Sequence, residues 1–205
     1  LYKDKDYNSE SEYVFNKLKK YTPEISNLLE IGTGTGIHAS LLKDKGIEVT
    51  GIELSEEMAQ QARSRGVECF INDCSEFKLD KKFDAAISLF HVISYITEND
   101  KLIKAFNNIY EHLNPGGFFL FDVWYSPAVH NLKLETRVKR IKDNDISITR
   151  LAEPLMHYNR NVADVNYEII IEEKNPEKIT KIKEIHPMRY FSIPEIELLS
   201  GMCGF

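Results

Sequence analysis

The chain of 205 residues is poor in the residues that staple or anchor small proteins. Its three cysteines, Cys69, Cys74 and Cys203, make an odd count and form no Cys-x-x-Cys pair, which excludes a disulfide framework and a structural zinc site of regular spacing. The six histidines are equally scattered and suggest no metal centre. No apolar run approaches the roughly 18 residues of a membrane span, and the Lys- and Asp-rich start is unlike a secretory signal. Positive charge is in deficit. With 26 Lys and Arg against 32 Asp and Glu, the net charge of -6 argues against a broad nucleic-acid surface and favours a small substrate. The expectation is a cytoplasmic protein without a membrane or nucleic-acid partner. Hydrophobic content of 42% is ample for one folded domain carrying an insertion.

What the chain does have is concentrated between Leu28 and Leu42, LLEIGTGTGIHASLL. An apolar strand runs into a glycine-rich turn and then a helix, with Glu30 two residues ahead of the first glycine. Gly32, Gly34 and Gly36, spaced by two, permit a tight turn on whose main chain a nucleoside can rest, where a β-carbon would collide with it. Dinucleotide-binding loops place the third glycine one position later, where this chain has Ile37.

The periodicity predicts a helix over Ser9 to Lys20, with Tyr13, Val14 and Leu18 on one face and a Ser9/Glu12 capping box. Strands follow at Leu28 to Ile31, Ile47 to Glu53, Val67 to Ile71, Phe83 to Phe90 and Phe118 to Val123. Helices lie between them, over Gly36 to Lys45, from Ser55 to Gly66 and over Glu98 to Leu113, with a turn at Pro115-Gly116-Gly117. Such alternation implies an α/β, Rossmann-like doubly wound sheet, mostly parallel. The pattern then changes to β-branched, charged runs at Ile146 to Leu151, Val162 to Glu173 and Ile179 to His186. Asn175-Pro176 stands at a hairpin turn, and a last helix starts at a Ser192/Glu195 box. The predicted division is a core of 1–125 and 190–205 and an antiparallel lid or dimer insertion of 126–189.

Open α/β sheets bind ligands at the carboxyl ends of their strands, which selects candidates by position. Glu53, about 20 residues past the loop, suits ribose hydroxyls; otherwise it is a solvated acid before a helix. Leu54 follows it, and Met58 either packs on adenine or fills the core. Asp73, with Cys74 beside it, suits the adenine amine or serves as a turn cap. Phe90 and His91 follow the fourth strand, where His91 is either a general base or a packing residue; Tyr95 reads as structural. Asp122, Trp124, Tyr125 and His130 outline an acceptor pocket. Lys133, Arg137, Arg140 and Arg189 are candidates for a phosphate on the acceptor, Arg189 foremost because its surroundings are apolar.

Taken together, the acid-x-Gly-x-Gly-x-Gly loop, Glu53, Asp73, the Phe-Asp-x-x-x-Ser strand, the Asn-Pro-Gly-Gly turn and the closing Leu-Leu-x-x-x-x-Gly-Phe resemble class I S-adenosylmethionine-dependent methyltransferases. Within these the chain looks most similar to small bacterial enzymes that methylate nucleotide-linked amino sugars and carry a comparable insertion after the fifth strand. The resemblance implies S-adenosylmethionine as cofactor, bound by Glu30, Gly32, Thr33, Gly34, Gly36, Glu53, Leu54, Met58, Asp73, Cys74 and Phe90. It also implies a small-molecule acceptor, with a homodimer through the insertion left open. By the same resemblance Tyr2 faces the acceptor, Tyr7 the cofactor carboxylate and Trp124-Tyr125 the substrate, while His91 stands where those relatives often have a small polar residue. An amine acceptor is favoured; O-methylation with His91 as base is the alternative. The start at Leu1 without methionine and the stop at Gly204-Phe205 suggest a trimmed chain lacking a final hairpin. A nicotinamide oxidoreductase would leave Asp73 and the Asn-Pro-Gly-Gly turn without roles, and intact glycines and acids speak against a silent cofactor-binding protein.

Overall fold

The computed structural model describes residues 5–132, 135–174 and 177–205, so Tyr2, Lys133 and the Asn175-Pro176 turn lie outside the described residues. Two compact units emerge. Among the described residues, a core unit comprises 5–93, 98–123 and 194–205, and a sheet unit comprises 94–97 and 124–193. The sheet unit thus begins two residues earlier than the expected insertion, extends four residues beyond it and also takes in the 94–97 turn.

In the core unit, helix α1 (Tyr7–Tyr21) precedes strand β1 (Asn27–Ile31), α2 (Ile37–Lys43), β2 (Glu48–Glu53), α3 (Glu56–Ser64), β3 (Glu68–Ile71), β4 (Phe83–Ser88), α4 (Asn99–Glu111) and β5 (Leu113–Phe121). The sheet order is β3-β2-β1-β4-β5, every neighbour parallel. Helices on both faces explain why these strands read as continuous apolar runs. Leu28, Ala85 and Ile87 join Val14, Leu18, Ala39 and Ala62 on one face. Leu29, Ile31 and Ala86 join Phe77, Phe83 and Ile109 on the other. Side chains of full burial such as Leu28 and Leu29 each contribute about 1.5–3 kcal/mol.

Some local expectations need correction. The cap of α1 is Asp6, whose carboxylate accepts from the Ser9 N–H at 2.9 Å and the Ser9 hydroxyl at 2.6 Å, in place of a Ser9/Glu12 box. Tyr13 is exposed, while Val14 and Leu18 are buried. The Pro115-Gly116-Gly117 stretch is an irregularity inside β5, not a turn ahead of it: the register jumps from Phe83↔Leu113 to Ala85↔Phe118. Strand β4 ends at Ser88 because Phe90 and His91 both adopt left-handed backbone, which no ladder accommodates.

The sheet unit contains β6 (Trp124–Tyr125), α5 (Ser126–Asn131), β7 (Arg137–Lys142), β8 (Ile146–His157), β9 (Val162–Lys174) and β10 (Glu177–Phe191), in the order β6-β10-β9-β8-β7. Strands β7 to β10 pair antiparallel, and β10 pairs parallel with β6 through Tyr190↔Trp124 and Phe191↔Tyr125. Strand β7, RVKRIK, was not anticipated among the strand-like runs; lysines on such an edge strand protect it from further pairing. Helix α6 (Ile193–Met202) ends the described chain. Among the described residues no helix is long and apolar enough to cross a membrane.

Candidate functional site

The glycine loop sits at the carboxyl end of β1, and its three glycines all have positive φ, at 70°, 57° and 76° for Gly32, Gly34 and Gly36. The reasons for glycine differ among them. A β-carbon on Gly32 would stand 2.5 Å from Val92 Cγ2, and one on Gly36 2.8 Å from the Ala62 main chain. At these two positions the protein's own packing already excludes a side chain. At Gly34 no atom of the described residues lies within 4 Å of such a β-carbon. The loop thus presents bare main chain to open space at its middle glycine.

Glu53, at the end of β2, braces this loop. Its Oε2 accepts from the Gly34 N–H at 2.8 Å, and its Oε1 accepts from the N–H groups of Leu54 and Ser55 at 2.9 and 3.0 Å. Thr33, expected to face a cofactor, is buried and donates its hydroxyl to the Glu30 carbonyl at 3.0 Å. Gly51 makes room for it: a β-carbon there would come within 2.9 Å of Thr33 Cβ. Glu30 is fully buried, with Oε2 lacking a hydrogen-bond partner. Burial and, secondarily, the charge of Glu53 raise its carboxyl to about 8, so it is protonated at neutral pH.

Leu54 and Met58, beyond the end of β2, are 67% and 44% exposed, which removes the core-filling reading of Met58. Asp73, beyond the end of β3, meets Lys101 Nζ at 2.7 Å and accepts from the N–H and hydroxyl of Ser75. Burial alone would raise its carboxyl; Lys101 and Ser75 outweigh that and hold it below the usual range. Cys74 is half-buried, its thiol pushed up to about 12 by desolvation and then by Asp73, so it is no nucleophile.

His91 and Asp122 are brought together. The His91 Nδ1 lies 2.6 Å from Asp122 Oδ2, and the His91 N–H reaches both carboxylate oxygens at 3.2 Å. Proximity to the carboxylate favours the tautomer with the proton on Nδ1, which leaves Nε2 with its lone pair, although the Nδ1 geometry is not that of a formed hydrogen bond. Burial pushes the Asp122 carboxyl up, but the His91 ring and main-chain N–H beside it bring it below its ordinary value. Both residues line a cleft of about 580 Å³ with Glu10, His38 and Phe90.

His38 and Glu10 were not foreseen. Glu10 Oε2 lies 3.0 Å from His38 Nε2 and 2.8 Å from Lys5 Nζ, and the Tyr7 ring meets His38 edge-on at 5.1 Å. Desolvation lowers the His38 pKa against the opposing pull of Glu10. Its position two residues past Gly36 was the available signal.

The remaining predicted contacts belong to the sheet unit. His130 stacks on Tyr158 at 6.0 Å and meets Tyr190 edge-on; Arg189 lies over Phe191 and donates to the Thr97 carbonyl at 3.4 Å. Trp124 donates its N–H to Ser94 Oγ at 3.0 Å, and Tyr125 is 47% exposed. Tyr95 is half exposed and hydrogen-bonds His186 Nδ1 at 3.0 Å.

Residues 28–117 match the sequence profile of the family described as Methyltransferase domain. A dTDP-3-amino-3,4,6-trideoxy-alpha-D-glucopyranose N,N-dimethyltransferase of Streptomyces venezuelae is 33% identical over 129 residues, covering 62% of this chain and 54% of that protein. The chain spans about half the length of the amino-sugar dimethyltransferases it matches. Among solved structures, the sugar N-methyltransferase KedS8 from Streptoalloteichus superposes with a TM-score of 0.89 at 21% identity, covering 99% of this chain and 81% of that one. CalS10 from Micromonospora echinaspora, described as a SAM-bound amino pentose methyltransferase, gives 0.83 at 21% identity, covering 98% and 84%. Residues 28–117 thus resemble a methyltransferase domain, and the chain shares the α/β Rossmann-like fold of these solved structures.

Proposed function

We propose that this chain is an S-adenosylmethionine-dependent methyltransferase acting on a small molecule, with the amine of a nucleotide-linked sugar as acceptor. The observation that carries the reading is the left-handed glycine loop whose middle N–H is held by Glu53 at the carboxyl ends of β1 and β2. The amino-sugar N,N-dimethyltransferases among its relatives support the acceptor class.

The residues present suit that cofactor. Gly34 leaves main chain accessible, and Leu54, Met58 and Ile71 expose apolar surface for a purine face. When bound, the cofactor supplies a methyl already activated on a sulfonium sulfur. The protein's task is then alignment and exclusion of water. Glu53 Oε2 retains a lone pair for a ribose hydroxyl, and Asp73, kept ionised by Lys101, accepts from an exocyclic amine. Tyr7 remains the proposed contact to the cofactor carboxylate, and Tyr2 the proposed group on the acceptor side. Trp124, Tyr125, His130 and Arg189 remain the proposed acceptor-binding set of the sheet unit. An amine acceptor must react neutral. In this reading His91, 2.6 Å from Asp122 through Nδ1, takes its proton at Nε2.

The same dyad supports a second reading, transfer to a hydroxyl, in which His91 removes the O–H proton. Radiolabelled methyl transfer over dTDP-amino sugars, sugar acids and free sugars decides between them. The expected product carries its new methyl on nitrogen. A methyl on oxygen selects the second reading, and calorimetric binding of a nicotinamide dinucleotide in place of S-adenosylhomocysteine overturns both.

A further inference from the structure

We propose that the Phe90 ring face, the Glu10 carboxylate and the Tyr7 ring form a subsite for an alkylammonium group, filled in this structure by the chain's own Lys5. The Lys5 ammonium lies over the Phe90 ring, 4.8 Å from the Tyr7 ring centroid and 2.8 Å from Glu10 Oε2. Its side chain is only 13% exposed, a degree of burial that lysine reaches where the surroundings complement a cation. Aromatic faces attract ammonium groups through their quadrupole, and Glu10 supplies the countercharge. His38 grips Glu10 from a second side, so the carboxylate keeps its place when Lys5 leaves.

The backbone is shaped for this. Phe90 has φ 68° and His91 φ 59°, two successive non-glycine residues in left-handed conformation, each costing about 1–3 kcal/mol. The bend presents the Phe90 ring and His91 to one cleft while the His91 N–H reaches Asp122.

An internal ammonium competes with that of a ligand. On the methyltransferase reading, on which this inference rests, two ligand groups share the chemistry: the α-ammonium of the cofactor's amino-acid portion and the protonated amine of the acceptor. The test measures binding of S-adenosylhomocysteine and of 5′-methylthioadenosine, which lacks the ammonium, together with KM for a dTDP-amino sugar, in wild type, Lys5→Ala, Lys5→Arg, Glu10→Gln, Phe90→Leu and Phe90→Tyr. Relief of competition in Lys5→Ala should tighten S-adenosylhomocysteine, or else lower the amino-sugar KM, by about fivefold, with methylthioadenosine unchanged. The first result assigns the subsite to the cofactor and the second to the acceptor. Glu10→Gln and Phe90→Leu should weaken that same ligand by a similar factor, whereas Lys5→Arg and the ring-preserving Phe90→Tyr should match wild type. Thermal unfolding of each variant separates binding loss from misfolding. If Lys5→Ala weakens both ligands or alters neither, the subsite is refuted while the enzyme assignment stands. If wild type fails to bind S-adenosylhomocysteine, it is the enzyme assignment that falls.

Discussion

Alanine at Gly32 and at Gly34 should have different consequences, although the two glycines are two residues apart in one loop. Both positions are left-handed, so either substitution incurs roughly 1–2 kcal/mol of backbone strain. At Gly32 the new methyl must also displace Val92, whose Cγ2 and Cγ1 lie 2.5 and 2.7 Å from the ideal β-carbon. Overpacking of this kind adds about 1–3 kcal/mol, for a total of about 2–5 kcal/mol and a Tm loss on the order of 5–15 °C. Among the described residues Gly34→Ala meets no atom within 4 Å, so its stability loss stops at the strain, a Tm decrease of about 2–8 °C. Its methyl instead enters the space assigned to the cofactor. Steric conflict there of about 1–3 kcal/mol weakens S-adenosylhomocysteine roughly tenfold to a hundredfold. Differential scanning fluorimetry and titration calorimetry on the two variants measure both quantities. Wild-type affinity in folded Gly34→Ala would refute the placement of the ligand on this loop.

The buried acid of the loop should leave a pH signature. The Glu30 carboxyl is raised from 4.5 to about 8 by burial and then by Glu53, so the native state holds a proton that the unfolded chain releases in that window. Stability therefore falls as pH rises through it, by on the order of 4 kcal/mol at the upper end. Urea denaturation at about pH 5 and pH 8.5 should show a loss that Glu30→Gln abolishes; an equal loss in the variant assigns the effect elsewhere. Tyr190 is fully buried and its hydroxyl lacks a hydrogen-bond partner, so Tyr190→Phe should stabilise the chain by about 1 kcal/mol, seen as a Tm rise of about 2–4 °C. Asp122→Asn removes the carboxylate that selects the His91 tautomer and should cut kcat by about a hundredfold with S-adenosylhomocysteine affinity unchanged, if His91 is the base. Undiminished turnover retires that role.

Strand and helix alternation was legible because the parallel strands are buried on both faces and the helices carry one apolar stripe each; Leu28 with Leu29, and Val14 with Leu18, show both patterns. The loop could be located from its glycines alone, and the acids at the ends of β2 and β3 from their distance along the chain. Less legible was why each residue is what it is. Gly32 and Gly36 answer to Val92 and Ala62, which are remote in sequence and become neighbours when the crossovers close. Strand β7 escaped notice because edge strands are solvated and their charges resemble those of a loop.

Composition and local periodicity, acting over a few residues, were enough to determine the layered α/β architecture and the position of its glycine loop. Tertiary structure alone decided the pairings His91 with Asp122, Asp73 with Lys101, and Glu10 with Lys5 and His38. Such pairings depend on distances of a few ångströms between segments far apart in the chain, and the charge and proton affinity of each group follow from the neighbours and burial that folding supplies.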